Sequence, residues 1–322
     1  MNTTPPPAFR SGFIAVMGKP NVGKSTLINT LLGQKIAAVS PRPQTTRKRQ
    51  LGILTLEQAQ LIFVDTPGIH QPRHKLGEFM VQEAAEILPD CDLIWMMVNA
   101  SLSPDDDDRR LAELIASLES APPVFLLLNF IDKLDPDLIP ERQAAFAGLA
   151  PEATPFAISA LYGNGLEQLI AASIEKLPEG SPLYSEDQIT DLYERDIAAD
   201  LIREAALNLL DEEVPHGIAV RIDQYRERGD SGAYIEATLF VEKESHKGIV
   251  IGKGGAMIKK IGSAARQQIE AMSGRKVYLE LRVKVQKNWR NNEKILRRFM
   301  YRVSHTPLTI EQENDRADSE RL

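Results

Sequence analysis

Residues 18–25 read Gly18-Lys19-Pro20-Asn21-Val22-Gly23-Lys24-Ser25, with Thr26 extending the run. The spacing G-x-x-x-x-G-K-S, between an apolar run ending at Met17 and a helix-forming segment opening at Lys24, predicts a loop that wraps a phosphate chain. Glycines at Gly18 and Gly23 let successive backbone amides, that of Val22 among them, turn toward an anion. The N-terminus of the following helix adds positive partial charge, and Lys24 reaches the terminal phosphates. The hydroxyl of Ser25 is placed to hold Mg²⁺. Strand, loop and helix in this order predict an α/β sheet.

Outward from the loop, short apolar runs rich in β-branched residues alternate with helix-length segments. Strands are expected at 12–17, 51–55, 61–65, 93–99, 124–129 and 154–159, and helices at 24–32, 78–88, 106–118, 140–147 and 166–176. This alternation predicts a mostly parallel six-stranded sheet with helices on both faces. Pro178-Glu179-Gly180-Ser181-Pro182 breaks the pattern and marks the expected domain boundary. Beyond it come an amphipathic segment at 188–210, strands at 218–225 and 233–241, and a short helix at 245–250. A Gly-rich turn, a helix at 256–272, a strand at 276–285 and a last helix at 289–301 complete the chain.

Asp65-Thr66-Pro67-Gly68 closes the third expected strand. A carboxylate there can support Mg²⁺, and the Gly68 amide can sense a γ-phosphate. Thr45-Thr46-Arg47 lies in a polar loop whose hydroxyl can close over the metal, with Thr46 the expected ligand; loops of this kind order on γ-phosphate contact. In Asn129-Phe130-Ile131-Asp132, a carboxylate at Asp132 can accept from guanine N1 and N2, donors that adenine lacks. Ser159 and Ala160 follow the sixth strand, where a backbone amide can meet guanine O6. These five segments resemble the nucleotide boxes of translation-factor-related GTPases. Phe130 stands where that pattern, N-K-x-D, has lysine, and an aromatic ring there can stack on the base. Ile69 occupies the position of the water-orienting glutamine of Ras-like proteins, so slow intrinsic hydrolysis is expected. Asn21 resembles the asparagine with which similar GTPases help to hold K⁺, which implies K⁺ stimulation. The catalytic set is thus expected to be Asn21, Lys24, Thr46 and Gly68. His70 and His74 are four apart, but without a third ligand in view they are read as loop histidines.

The 322 residues carry a net charge of −7, unevenly spread. Residues 184–242 hold 5 Lys+Arg against 15 Asp+Glu, whereas residues 243–302 hold 16 against 4, a local balance of +12. A basic block of this kind is the footprint of a polyanion-binding surface. The longest apolar runs are strand-sized, so no transmembrane segment is expected. Residues 1–10 are read as a disordered leader without a signal-peptide core. Cys91, the single cysteine, suits a reducing compartment and is expected to be buried.

Within the basic block, Ile249-Val250-Ile251-Gly252-Lys253-Gly254-Gly255-Ala256 places G-x-x-G between two helical segments. It closely resembles a KH signature, and the flanking order helix, strand, strand, helix, helix, strand fits the type II arrangement. Gly252, Lys253, Gly254 and Gly255 would meet a single-stranded backbone, with an apolar groove for unstacked bases. Lys259, Lys260, Arg266, Lys284, Lys287 and Arg290 are further phosphate candidates. Ile258, Ile261, Ala265 and Ile269 recur at helical spacing and are expected in the core. Trp289 is open to two readings, a base-stacking ring or a helix anchor.

From about Ser11 to Tyr301 the chain resembles the Era family of GTPases, on the strength of the phosphate loop, Gln44-Thr45-Thr46-Arg47 and the KH loop in this order. The resemblance implies an α/β P-loop GTPase domain (11–180), then an α+β type II KH domain (181–302); the acidic tail at 303–322, read as disordered, departs from the family. It implies GTP/GDP, Mg²⁺ and K⁺ as ligands and a role in small ribosomal subunit biogenesis. The implied partners are the small ribosomal subunit and the 3′ end of its 16S-type RNA. A cytoplasmic monomer, partly peripheral on the inner face of the membrane, is also implied. An RNA chaperone that holds nucleotide without turning it over is the alternative.

Overall fold

The computed structural model describes residues 8–40, 42, 45–72, 74–227 and 232–299; the expected acidic tail and most of the expected leader lie outside them, as do Met300 and Tyr301. The first half builds one sheet from β1 (Arg10–Met17), β2 (Gln50–Leu56), β3 (Ala59–Asp65), β4 (Leu93–Asn99), β5 (Val124–Asn129) and β6 (Thr154–Ala157), in the order β2-β3-β1-β4-β5-β6. Only β2 runs antiparallel to its neighbour. β1, β4 and β5 are almost wholly apolar because helices cover both faces. Phe13, Ile94 and Leu126 look into one core and Ile14, Trp95 and Leu127 into the other.

The covering helices are α1 (Lys24–Leu32), α2 (Lys75–Glu86), α3 (Asp106–Ala116), α4 (Ile139–Ala147) and α5 (Leu166–Lys176). α3 opens on a capping box in which Asp105 accepts from the Asp107 and Asp108 amides. Cys91 is buried as expected, and burial pushes its thiol up to about 12.

The boundary differs from the expectation. Residues after Pro178 do not leave the first domain but run along its sheet. The Gln60 side chain binds the backbone of Leu183 and Tyr184, the Ile53 amide reaches Ile189 O, and Asp191 accepts from the Leu51 amide. Helix α6 therefore starts only at Glu194 and runs to Leu209.

The second half places α6, β7 (Ala219–Glu227), β8 (Ala233–Val241), α7 (Glu244–Ile251), α8 (Ala256–Ser273) and β9 (Val277–Val285) in the expected order. β8 is central, antiparallel to β7 and parallel to β9. Ile261, Ala265 and Ile269 of α8 are fully buried against this sheet. The last expected helix is broken: a 3₁₀ turn at Trp289–Asn291 precedes α9 (Glu293–Arg298), because the Asn292 side chain caps the new helix.

Trp289 settles as an anchor. Its ring is fully buried, its indole donates to Gly217 O at 2.9 Å, and it packs with Phe240, Leu296 and Phe299 against Leu76 and Met80 of α2. This apolar seam joins the two domains. Replacing Trp289 by alanine is expected to cost about 3–5 kcal/mol, read as a lower urea midpoint. Phenylalanine there, losing mainly the indole bond, should cost nearer to about 1 kcal/mol.

Candidate nucleotide and RNA sites

The first site lies at the C-terminal ends of β1, β3 and β5, where parallel sheets place ligands. A cavity of about 390 Å³ is lined by Asn21, Gly23, Lys24, Ser25, Thr26, Thr46, Gly68 and Phe130, among others. The loop can take this shape only with glycine at its end. Gly23 has φ 103°, and a Cβ there would stand 2.5 Å from Asn129 Nδ2. A Cβ on Gly68 would stand 2.7 Å from the Pro20 nitrogen, so the two loops touch backbone to backbone. The Lys24 ammonium donates to Gly18 O at 3.0 Å and Lys19 O at 3.1 Å, and burial lowers its pKa to about 8. Lys19, one residue from Gly18, is drawn aside by Asp105 and the buried Asp108 at 2.6 and 2.8 Å. The acidic run 105–108 was the sequence signal for that pairing.

Three oxygens converge beside Lys24. Ser25 donates to Asp65 Oδ2 at 2.8 Å, Thr46 does so at 3.2 Å, and the two hydroxyls are 2.9 Å apart. Asp65 is fully buried, burial raises its pKa, and its Oδ1 has no hydrogen-bond partner. A buried carboxylate with an orphan oxygen beside two hydroxyls is a hard, all-oxygen donor set and fits Mg²⁺. Thr46 is the threonine that faces this cluster; Thr45 donates instead to Arg42 O. Ile69 is buried, His70 contacts Gly68 O, and His74 begins α2. Among the described residues no three His, Cys, Asp or Glu side chains are grouped to hold a metal.

The segment expected to read the base is tied down on both sides. Asn129 donates to Val22 O at 2.7 Å and accepts from the Ala160 amide at 2.9 Å, and Ser159 donates to Asp132 Oδ1 at 2.6 Å. Asn129, Val22, Ser159, Ala160 and Asp132 thus form one hydrogen-bonded unit.

The second site is a groove of about 340 Å³ between α8 and β9, lined by Lys259, Gly262, Arg266 and Tyr278 among others. Its lining on α8 begins at Ile258, in the first turn of the helix that follows the Gly252–Gly255 turn. Lys253, Lys259, Lys260 and Arg266 are exposed on that turn and on α8, whereas Lys284 and Lys287 are exposed but do not line the groove. Two expectations need correction. Ile258 is not core but lines the groove, because its helical position falls beside β9 instead of over the sheet. Arg290 is engaged by Glu242 and is not a free phosphate contact. Tyr278 was missed: it is 63% exposed and stacks on Tyr234 with ring centroids 5.5 Å apart. The period-two alternation of Val277-Tyr278-Leu279-Glu280 was the available signal.

The position of Lys24 gives a pH dependence. A bound diphosphate needs the ammonium charged, and the free site gives that proton up near pH 8. Affinity for GDP, measured by titration calorimetry, is expected to be level near about pH 7 and to fall progressively above about pH 8, with proton uptake on binding. Affinity unchanged to about pH 9 would show that the loop carbonyls keep Lys24 charged.

Comparisons with known proteins agree with both halves of the fold. Family models described as "50S ribosome-binding GTPase" and "KH domain" match residues 13–130 and 213–290. GTPase Era of Ruminiclostridium cellulolyticum is 44% identical over 297 residues, covering 92% of this chain and 99% of that protein. GTPase Era of Caldanaerobacter subterraneus subsp. tengcongensis is 46% identical over the same shares. A crystal structure of Era in complex with MgGDPNP and nucleotides 1506–1542 of 16S ribosomal RNA superposes with TM-score 0.86 at 40% identity, covering 91% of this chain and 99% of that one. An Aquifex aeolicus Era variant bound to GDP·AlF₄⁻ gives 0.85 at 40% identity, with the same coverage. Phosphate loop, guanine-type base segment and KH groove occur here in one chain with these relatives along nearly its whole length: the chain belongs to the Era family of GTPases.

Proposed function

We propose that this chain is a GTP-driven switch that binds the 3′ end of 16S-type ribosomal RNA through its KH groove and acts in small ribosomal subunit biogenesis. The nucleotide half takes the expected 11–180 together with the stretch to Asp191 that runs along its sheet, and the RNA half the remainder of 181–302. Gly18, Asn21, Val22, Gly23, Lys24, Ser25 and Thr26 hold the phosphates, with Ser25, Thr46 and Asp65 on Mg²⁺. Asn129, Asp132, Ser159 and Ala160 hold the base, and Asn21, Lys24, Thr46 and Gly68 serve hydrolysis. In the RNA half, Gly252, Lys253, Gly254 and Gly255 receive the strand, with Lys259, Lys260 and Arg266 on phosphates and Lys284 and Lys287 as outer contacts. The relative solved with 16S RNA nucleotides and MgGDPNP supports this pairing of ligands. A cytoplasmic location, with peripheral contact at the inner membrane face, belongs to the same reading; among the described residues no helix is long and apolar enough to cross a membrane.

One observation carries the coupling between halves. Glu204 of α6 is 4% exposed at its side chain and accepts from Lys35 at 2.7 Å and from the Val39 amide at 2.9 Å, both in the loop after α1. It also accepts from Gln268 of α8 at 3.2 Å, and α8 lines the RNA groove. Motion of the nucleotide-side loop is thus felt by the groove helix through one carboxylate. A ligand shifts such an arrangement only by its different affinity for the two states.

With a non-hydrolysable GTP analogue the chain should bind a short RNA copying the 16S 3′ end more tightly than with GDP. Glu204→Gln should narrow that difference while leaving nucleotide affinity in place; equal RNA affinity in both states would leave two independent domains. Asn21 lines the cavity in a left-handed conformation, φ 64°, which supports a role in holding K⁺. Hydrolysis should be faster in KCl than in NaCl and lose that preference in Asn21→Ala, and equal rates in the two salts would end the K⁺ reading.

A further inference from the structure

Residue 130 departs from the family pattern, and its surroundings suggest what compensates. Phe130 has φ 68°, a left-handed conformation that bulky residues rarely adopt. No hydrogen bond from its ring can offset that strain, and strained residues of this kind gather where a site needs them. The 3₁₀ turn Ile131–Lys133 follows, closed by the Lys133 amide donating to Phe130 O at 2.9 Å. This turn brings the Lys133 ammonium over the Phe130 ring, 4.4 Å from its centroid. Phe130 and Lys133 both line the nucleotide cavity, and among the described residues Lys133 makes no ion pair. Asn129 and Asp132 on either side are held by Val22, Ala160 and Ser159, so the loop keeps its course without help from the side chains of Phe130 or Lys133.

We propose that Phe130 and Lys133 together form the wall on which the face of the bound guanine rests, with Lys133 supplying the positive charge that residue 130 lacks. A ring that carries a cation on one face is electron-poor and stacks well on an electron-rich purine. Lys133 is thus a positioning residue that acts through Phe130, while Asp132 and the Ser159–Ala160 backbone read the base edge. This rests on the reading that the chain binds guanine nucleotides.

The test is calorimetric titration of the full chain with Mg·GDP and Mg·IDP, for wild type, Lys133→Ala, and the double variant Phe130→Lys/Lys133→Ala. Lys133→Ala is expected to weaken GDP about five- to tenfold and IDP by the same factor, since a wall touches the face and not the edge. The double variant should return GDP affinity to within about twofold of wild type, because a lysine at 130 makes the one at 133 dispensable. Three results would overturn the proposal: Lys133→Ala binding like wild type, no rescue in the double variant, or a changed GDP-to-IDP ratio, which would mean a displaced Asp132. Failure of the wild type itself to bind GDP would overturn the nucleotide reading, and the wall with it.

Discussion

Two adjacent residues, Thr46 and Arg47, face opposite ways, and the chain's two halves depend on that. The Thr46 hydroxyl points at Ser25 and Asp65, while the Arg47 guanidinium is buried and donates to Ile218 O at 2.7 Å and His216 O at 3.1 Å. Arg47 also lies 5.6 Å from the Trp289 ring centre. With one peptide bond between them, the metal-side hydroxyl cannot move far without pulling a charge-assisted bond in the other domain. The α2 helix, which follows Gly68, repeats the theme with apolar contacts at Leu76 and Met80 and an ion pair from Lys75 to Glu293 at 2.5 Å. Both segments that would feel a γ-phosphate are thus fastened to the KH half.

The same fastening explains the charge pattern. An acidic block beside a basic RNA surface looks like a liability if the two are taken as one field. In the fold, part of the acid is taken up in ion pairs within the chain: Glu204 holds Lys35, Asp211 holds Arg42, Glu194 holds Arg275 and Glu242 holds Arg290. Two of these pairs bridge the domains and two brace the KH half. The exposed cations of the Gly252–Gly255 turn and α8 are left facing solvent, where a polyanion could reach them.

Much of this was legible in the sequence. The parallel sheet announced itself through near-continuous apolar runs such as 93–98 and 124–128, and the phosphate loop through a spacing that only backbone wrapping explains. The KH half was legible from its glycine turn and from the three-to-four spacing of Ile261, Ala265 and Ile269. What escaped were features that exist only between distant segments. Gln60 strapping residues 183 and 184, or Arg47 reaching carbonyls 169 and 171 residues away, leaves no periodic trace. Ile258 and Arg290 were misplaced for a related reason: helical spacing and charge sign say nothing of the strand edge or the carboxylate that a side chain will meet.

The seam also limits what nucleotide can do to RNA. Coupling between two sites is reciprocal, so whatever GTP adds to RNA affinity, bound RNA must add to GTP affinity. The contacts available to differ between states include Glu204 with Lys35 and Val39, Arg42 with Leu210 and Asp211, Ser40 with Asn208, Arg47 with the residue 216–218 turn, Lys75 with Glu293, and the α2 face on Trp289. Several are partly exposed ion pairs that contribute little singly. Losing the buried bonds of Arg47 and Glu204 together is what could reach the typical coupling of about 1–3 kcal/mol. A switch built this way changes RNA affinity by one or two orders of magnitude at most, enough to release a strand and too little to forbid its binding.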